Sequence, residues 1–172
     1  MRLCIERIRF ARETDPFFKI LVRKPRPPVR AEYFHLAPLR CRPHIRRMNE
    51  LMERAREAAQ RAYAPYSRFQ VGCALRTVAG GLFMGCNVEN ASYGLTICAE
   101  RGAIFSAVAA EGPEMRVAQL AVVAIGQEFP PCGACRQVIA EFAAPDMPVC
   151  FWQNGQLVTK TMRELLPAAF QL

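Results

Sequence analysis

The chain has 172 residues, 52% of them apolar and 22% charged, which is the composition of a globular protein with a hydrophobic core. It contains no run of about 18 apolar residues and no secretory signal pattern, so we expect neither a transmembrane helix nor a signal peptide. The formal net charge of +8 is typical of proteins that bind nucleic acid or acidic membranes, provided that the charge lies in the folded domain.

The charge lies almost entirely near the N-terminus. Residues 1–47 hold 13 of the 23 lysines and arginines but four of the 15 acidic residues, a net charge of +9. Residues 48–172 carry a net charge of −1, and they contain every glycine and no histidine. We therefore predict a basic extension over 1–47 and a regular domain over 48–172, with Met48 as a candidate start of the protein.

Three interpretations of the basic extension are open from its composition. Its arginines suggest an arm that binds nucleic acid or membrane, or a transit peptide, although the absence of serine and the presence of acidic residues argue against the transit peptide. Pro25, Pro27 and Pro28 break any helix or central strand. We expect a poorly ordered extension, or upstream sequence read from an early start.

The second part contains regular elements in an alternating order. Apolar residues recur at helical spacing over 49–63, a strand pattern covers 69–76, and a glycine turn leads into its hairpin partner over 82–88. The later predicted elements are a helix over 99–110, a strand over 120–125, a helix at 138–142, a hairpin of strands 149–152 and 156–160 about Asn154-Gly155, and a short helix from Met162.

This order predicts an α/β fold. The stretch 120–125 is apolar throughout, as is typical of a central strand covered on both faces. We predict a three-layer α-β-α sandwich around a mixed, five-stranded sheet. Cys73, Cys86 and Cys150 fall on predicted strands, and we expect them to be small buried residues.

The other cysteines of this part carry a chemical signal. The motif CGAC at 132–135 opens a predicted helix, where both sulfurs share one face and the helix N-terminus favours thiolates. Alone, it is compatible with a metal clip, a redox pair or chance. Cys98, which opens another helix with Thr96 as candidate N-cap, is the best third ligand for a zinc ion. Three protein ligands leave one position for water, as in a catalytic zinc site.

Two charged residues follow Cys98 closely. We expect Glu100 to stand beside a zinc-bound water, to take its proton and to pass protons to the substrate. Zinc with three thiolates carries a net charge of −1, and hydrogen bonds from Arg101 to the sulfurs would restore part of its electrophilicity. The ordinary alternatives are a solvated Arg101 and a Glu100 that only complements the helix dipole.

Four segments, in order along 48–172, resemble one enzyme family. The stretch CAE…PCGAC resembles the zinc deaminase signature, with Cys98 at the first-ligand position. The segments are similar to those of cytidine deaminases that act on free nucleosides, in their small, homotetrameric, three-cysteine form. They are APYSRFQVGCALR at 64–76, MGCNVENASYGLTICAERGAIFS at 84–106, PPCGACRQVI at 130–139 and ELLPAAF at 164–170.

The resemblance implies substrate-binding roles for six more residues. These are Asn87 and Glu89 on the ribose, Phe69 on the pyrimidine ring, and Ala91, Tyr93 and Phe170 near the nucleoside of an adjacent subunit. From spacing alone, we expect Phe170 to lie in the core, Phe69 also fits the core, and Asn87 and Glu89 fit a turn.

We predict zinc-dependent hydrolytic deamination of cytidine and 2′-deoxycytidine to the uridines, with release of ammonia. We also predict one Zn²⁺ per subunit and a cytoplasmic homotetramer with its sites at subunit interfaces. We expect neither nucleic acid nor a membrane as a partner. One alternative is deamination of an aminonucleoside antibiotic, which Asn87-Val88-Glu89 disfavours, or of a polynucleotide, which the charge of −1 disfavours. The other is a structural zinc domain that binds partners through its basic arm and has a fourth protein ligand.

Overall fold

The structure is a computed structural model that describes residues 41–170, with side chains described from Arg47 onward. Most of the basic extension predicted over 1–47 lies outside these residues, so its lack of order stays a prediction. Met48 lies inside the first helix, and its side chain is buried. Helical backbone therefore begins at least as early as Cys41, seven residues before the predicted boundary.

The described residues alternate helices and strands as predicted. The helices are α1 (Cys41–Ala59), α2 (Ala99–Glu111), α3 (Gly133–Phe142) and α4 (Met162–Leu165). The strands are β1 (Val71–Thr77), β2 (Leu82–Cys86), β3 (Val117–Ala124), β4 (Pro148–Gln153) and β5 (Gln156–Thr161). A single turn of 3₁₀ helix spans Tyr93–Leu95, in the loop between β2 and α2.

The five strands form one mixed sheet in the order β2-β1-β3-β4-β5. Strand β1 is antiparallel to both of its neighbours, and β4 is antiparallel to β5. Strands β3 and β4 are parallel, and α3 lies in the crossover that a parallel pair requires. The predicted mixed sheet of five strands is confirmed, and residues 120–124 of the predicted strand over 120–125 belong to its central strand, which ends at Ala124.

Alternating side chains give the sheet two apolar faces. On β3, Leu120 and Val122 join the cluster that contains the buried residues of α2 and α3. Ala121 and Val123 point the other way and pack with the buried residues of α1. A helix layer therefore covers each face of the sheet, which confirms the predicted three-layer sandwich.

Two glycines set how closely the helices approach the sheet. A Cβ atom on Gly72 of β1 would lie 1.9 Å from the carbonyl oxygen of Ala55 in α1, and a Cβ on Gly85 of β2 would lie 2.5 Å from that of Ala99 in α2. No side chain fits at these distances, so each helix backbone rests directly on a strand. Because Ala99 is the first residue of α2, Gly85 fixes the position of the helix end that follows Cys98.

The first helix ends earlier than its apolar pattern predicts. Helical spacing continues to residue 63, but α1 ends at Ala59. The N–H of Tyr63 instead donates to the carbonyl of Asn87 at 3.0 Å, and its carbonyl accepts from the N–H of Glu89 at 2.8 Å. These tertiary hydrogen bonds use the backbone groups that a longer helix would need, so the prediction is wrong at this end.

Two of the three strand cysteines are fully buried, as predicted. Burial raises the pKa of the Cys73 thiol well above its ordinary value, and Cys150 is likewise buried. Cys86 is only partly buried, and its thiol donates to the carbonyl of Arg61 at 3.6 Å. In the described part of the chain, no helix combines the length and the hydropathy needed to cross a membrane.

Candidate metal centre

Two helices begin at the same place in the molecule. Cys98 is the N-cap residue of α2 and Cys132 that of α3, since their carbonyls accept the first helical hydrogen bonds from Gly102 and Arg136 at 3.1 and 2.9 Å. Neither cysteine uses its side chain as a cap. The prediction of Thr96 as N-cap is wrong, because the extended segment continues through it to Cys98.

Three thiols meet between these helix starts. The Sγ atoms of Cys98, Cys132 and Cys135 all lie within 4.8 Å of one another. The pKa of Cys98 is lowered to about 5, mainly by a hydrogen bond from the Cys135 thiol and also by one from Arg101, and these effects outweigh that of burial. The same thiol contact, together with burial, raises the pKa of Cys135. The cluster therefore holds a thiolate at neutral pH, which is the form that binds metal.

Glu100, the second residue of α2, is a buried carboxylate beside the thiols. The residue is 3% exposed. Burial is the main cause that raises the pKa of Glu100 above its ordinary value, and the neighbouring Cys98 thiolate adds to the shift. A buried carboxylate next to other anionic groups is costly, and perturbed groups of this kind concentrate at catalytic sites.

Arg101 contacts the first of the three cysteines. Its Nη2 donates to Cys98 Sγ at 3.3 Å and to the carbonyl of Thr96 at 2.9 Å. Its Nε is buried and has no hydrogen-bond partner among the described residues. The guanidinium is therefore partly buried against the cluster and not a solvated surface group, and it places positive charge where the thiolates are.

The donor set fits a zinc ion. Zn–S bonds of about 2.3 Å in a tetrahedron place sulfurs about 3.8 Å apart, which the observed spacing accommodates. Thiolates are the soft ligands that zinc prefers among the biological divalent ions. Among the residues whose side chains are described, no further cysteine, histidine or carboxylate belongs to the cluster, so it leaves one coordination position open.

The carboxylate of Glu89 is bound by the loop that precedes β1. Its Oε2 accepts from the backbone N–H groups of Tyr66 and Ser67 at 2.9 and 3.2 Å, and its Oε1 accepts from the Ser67 hydroxyl. The Ser67 hydroxyl is the largest cause that lowers the pKa of Glu89. The carboxylate is thus held in one orientation as an anion.

Asn87 fixes the entrance to β1. Its Oδ1 accepts from the N–H of Val71 and its Nδ2 donates to the carbonyl of Phe69, both at 2.8 Å. Each end of the amide has one further hydrogen-bonding position, which leaves capacity for a hydroxyl. The side chain therefore connects the loop that holds Glu89 to the backbone of Phe69.

Phe69 has an aromatic partner that the sequence patterns did not reveal. Its ring lies 4.8 Å from that of Phe129, centroid to centroid, with an interplanar angle of 34°. Both rings pack against the core cluster that includes Cys135. Phe129 lies three residues before Cys132, outside every regular element, so neither period nor motif marked it.

The chain is similar to known proteins. The model of the cytidine and deoxycytidylate deaminase zinc-binding region matches residues 45–151. The chain is 49% identical over 121 residues to a cytidine deaminase of Halalkalibacterium halodurans, a match that covers 70% of this chain and 91% of the relative. The chain belongs to the cytidine deaminase family. Its zinc site is the three-cysteine type, with Cys98, Cys132 and Cys135 as ligands.

Two further comparisons give a solved structure and a more distant relative. The crystal structure of cytidine deaminase from Burkholderia pseudomallei has 49% identity and a TM-score of 0.64, and the match covers 71% of this chain and 98% of that one. A blasticidin-S deaminase of Bacillus cereus is 32% identical over 132 residues, 70% of this chain and 90% of the relative. The cytidine-deaminase-like fold is thereby confirmed.

The remaining residues that the family resemblance singled out lie at the surface. Ala91 is exposed, Tyr93 is 77% exposed, and the Tyr93 ring meets that of Tyr66 edge to face at 6.3 Å. Phe170 is 68% exposed, so the expectation from spacing that it packs in the core is wrong. None of the three belongs to the buried clusters of the described chain, whereas Phe69 packs against the cluster that contains Cys135.

Proposed function

We propose that this protein hydrolyses the 4-amino group of cytidine and 2′-deoxycytidine, giving uridine and 2′-deoxyuridine and releasing ammonia. One observation carries the proposal: three cysteine sulfurs within 4.8 Å of one another at two helix starts, followed by the buried carboxylate of Glu100. That combination supplies a metal site with an open position and a proton acceptor two residues from a ligand.

Zinc, when bound by the three cysteines, supplies a Lewis acid that makes a water molecule a good nucleophile at neutral pH. Glu100 takes the proton of the attacking water on a carboxylate oxygen and delivers protons to N3 of the ring and to the departing amine. The C4–O bond forms, the C4–N bond breaks, and the nitrogen leaves as ammonia. A raised pKa, caused by burial, suits a carboxyl that must both accept and donate.

Arg101 offsets the charge of the site. Its guanidinium donates to Cys98 and has a buried Nε without a partner among the described residues. Because three thiolates make a zinc centre electron-rich, donors to the sulfurs withdraw negative charge from it. Arg101 therefore supports the reaction without touching the substrate.

The nucleoside is held beside the cluster by residues of two loops. The ionised carboxylate of Glu89 and the amide of Asn87 accept and donate hydrogen bonds to the ribose hydroxyls. Phe69 presents an aromatic face to the pyrimidine, and its ring packs against that of Phe129. The pre-existing hydrogen bonds of Glu89 and Asn87 orient both groups before substrate arrives.

A homotetramer with sites at its interfaces accounts for the exposed apolar residues. Tyr93 and Leu95 lie in one loop, and Tyr93, Leu95 and Phe170 are 77%, 66% and 68% exposed in a single chain. In this arrangement Ala91, Tyr93 and Phe170 lie near the nucleoside of an adjacent subunit. Light scattering should give about four times the chain mass of 19.3 kDa.

We place the reaction in the cytoplasm, with a small molecule and neither nucleic acid nor membrane as partner. Six cysteines with described side chains are unpaired, as expected in a reducing compartment. The domain over 48–172 has a net charge of −1, which disfavours a polynucleotide as substrate.

The decisive experiment compares Glu100→Ala with the wild type, both loaded with zinc, on cytidine, 2′-deoxycytidine, blasticidin S and short single-stranded DNA. We expect cytidine turnover to fall about 10²- to 10⁴-fold or more in the variant, with zinc content unchanged. Glu114→Ala, a carboxylate at an exposed surface position, is the matched control and should behave as wild type.

Each other outcome has a distinct meaning. Turnover of cytidine by Glu100→Ala contradicts the proposed proton transfer. Wild-type turnover of blasticidin S or DNA without that of cytidine contradicts the proposed substrate. A zinc-loaded wild type that acts on none of the four indicates a structural zinc domain.

A further inference from the structure

Gln137 of α3 binds both backbone polar groups of Phe170, near the C-terminal end of the described chain. Gln137 Nε2 donates to the carbonyl of Phe170 at 2.9 Å, and Gln137 Oε1 accepts from the N–H of Phe170 at 3.3 Å. The two bonds fix one residue at both its donor and its acceptor, as a neighbouring strand would. The Phe170 backbone is therefore held at both polar groups, while the residue is 68% exposed.

The neighbouring arginine adds a second attachment point. Arg136 Nε donates to the carbonyl of Pro131 at 2.7 Å, and its Nη1 donates to the carbonyl of Leu165 at 3.1 Å. Two consecutive residues of α3 thus bind the chain at Leu165 and at Phe170. The segment after α4 is thereby bound to α3, the helix that carries the zinc ligand Cys135.

Phe170 belongs to neither buried cluster of the described chain, although Gln137 holds its backbone. The residue is 68% exposed. An aromatic side chain that is held through its backbone and left exposed in a single chain is available to a site of another copy.

We propose that Gln137 is a positioning residue, which presents Phe170 to the nucleoside bound in an adjacent copy of the chain. The inference rests on the proposed function, because it needs a nucleoside site that a second subunit completes. It adds a residue that touches neither metal nor substrate and acts only through the backbone of Phe170.

The first test is a double-mutant cycle on the zinc-loaded protein with cytidine. Gln137→Ala should raise KM about 10-fold with little change in kcat, since the loss of two neutral hydrogen bonds weakens binding and leaves the chemical groups in place. Phe170→Ala should raise KM at least as much. In the Phe170→Ala background, Gln137→Ala should have no further effect on KM.

Two companion variants separate positioning from general structure. Gln137→Glu keeps an acceptor for the Phe170 N–H but loses the donor to its carbonyl, so KM should lie between the wild type and Gln137→Ala. Gln156→Ala, an exposed glutamine at the start of β5, should leave KM, kcat and Tm as in the wild type.

The second test assigns the donor and the recipient chains. Co-expressed Glu100→Ala and Phe170→Ala chains should form mixed oligomers that contain some sites with wild-type KM, because one chain supplies Phe170 and the other supplies Glu100. Replacing the first partner by a Glu100→Ala, Gln137→Ala chain should remove those sites.

The outcomes that overturn the proposal differ from those that overturn the function. Additive effects of Gln137→Ala and Phe170→Ala on KM, an unchanged KM in either single variant, or mixed oligomers without low-KM sites each contradict the positioning role while deamination persists. Absence of cytidine turnover in the zinc-loaded wild type contradicts the proposed function itself.

Discussion

Glu89 illustrates how single hydrogen bonds set the state of a binding residue. The Ser67 hydroxyl and the backbone N–H groups of residues 66 and 67 all donate to its carboxylate, and the pKa of Glu89 is lowered as a result. A carboxyl with a lowered folded-state pKa contributes stability above its ordinary pKa, and that contribution is lost as the pH falls through the lowered value. The group is therefore an anion at neutral pH.

We expect Ser67→Ala to raise the pKa of Glu89 back toward its ordinary value, because the largest cause of the shift is removed. A ¹³C NMR titration of the glutamate side-chain carboxyls measures it directly. Ser106→Ala removes a hydroxyl that donates to a helix carbonyl far along α2, and it should leave the Glu89 titration unchanged. An identical Glu89 pKa in Ser67→Ala and the wild type would contradict the assignment.

At the scale of elements, the contact between β2 and α2 positions the reactive residues. Gly85 lies against the backbone of Ala99 and Ala103, and a Cβ there would be 2.4 Å from the Ala103 nitrogen. Gly102 lies in the same contact, yet a Cβ on it would meet neighbours only at 3.7 Å and beyond, which is ordinary van der Waals contact. The two glycines therefore differ in their tolerance of a methyl group, although both are close to the site.

We expect Gly85→Ala to destabilise the fold by about 3 kcal/mol and to lower kcat/KM, because it displaces the start of α2 that carries Cys98 and Glu100. Gly72→Ala should destabilise by a similar amount through α1 but leave kcat/KM of the folded protein close to wild type. Gly102→Ala should be neutral or stabilise slightly, since alanine is the better helix former. Urea unfolding measures the free energy of unfolding of the three variants, and steady-state kinetics measure their kcat/KM. Equal losses of kcat/KM in Gly85→Ala and Gly72→Ala would refute the role of Gly85 in positioning α2.

At the scale of the whole molecule, we ask whether the reaction needs the basic extension over 1–47. The buried residues of α1 begin at Met48 and continue with Leu51, Met52 and Ala55, all within the predicted domain over 48–172. The seven α1 residues before Met48 lengthen the helix. We propose that the extension is dispensable for the reaction.

A variant that begins at Met48 should therefore keep its zinc content and a kcat/KM within about a factor of two of the full chain. Its Tm should fall by a few degrees, because α1 loses two turns. Loss of activity in a folded, zinc-loaded variant would show that the extension takes part in function.

Much of the fold was predictable because its signals are local. The alternation in 69–76, the Asn154-Gly155 turn and the apolar run at 120–125 each depend on neighbours in sequence, and all three belong to the observed elements. The end of α1 was not predictable, because Tyr63 bonds with Asn87 and Glu89, which are more than 20 residues away. Period and propensity carry no information on such contacts.

The same division holds for the site. The sequence by itself determined the zinc ligands and the family, since three cysteines at two predicted helix starts and a following glutamate occur together with four segments that resemble one family in order. Only the tertiary structure decided that Phe129 meets Phe69, that Gln137 holds Phe170, and that Gly85 admits α2 so closely. Those contacts join residues distant in sequence, and their specificity comes from packing and hydrogen-bond geometry that exist only once the sheet and both helix layers are assembled.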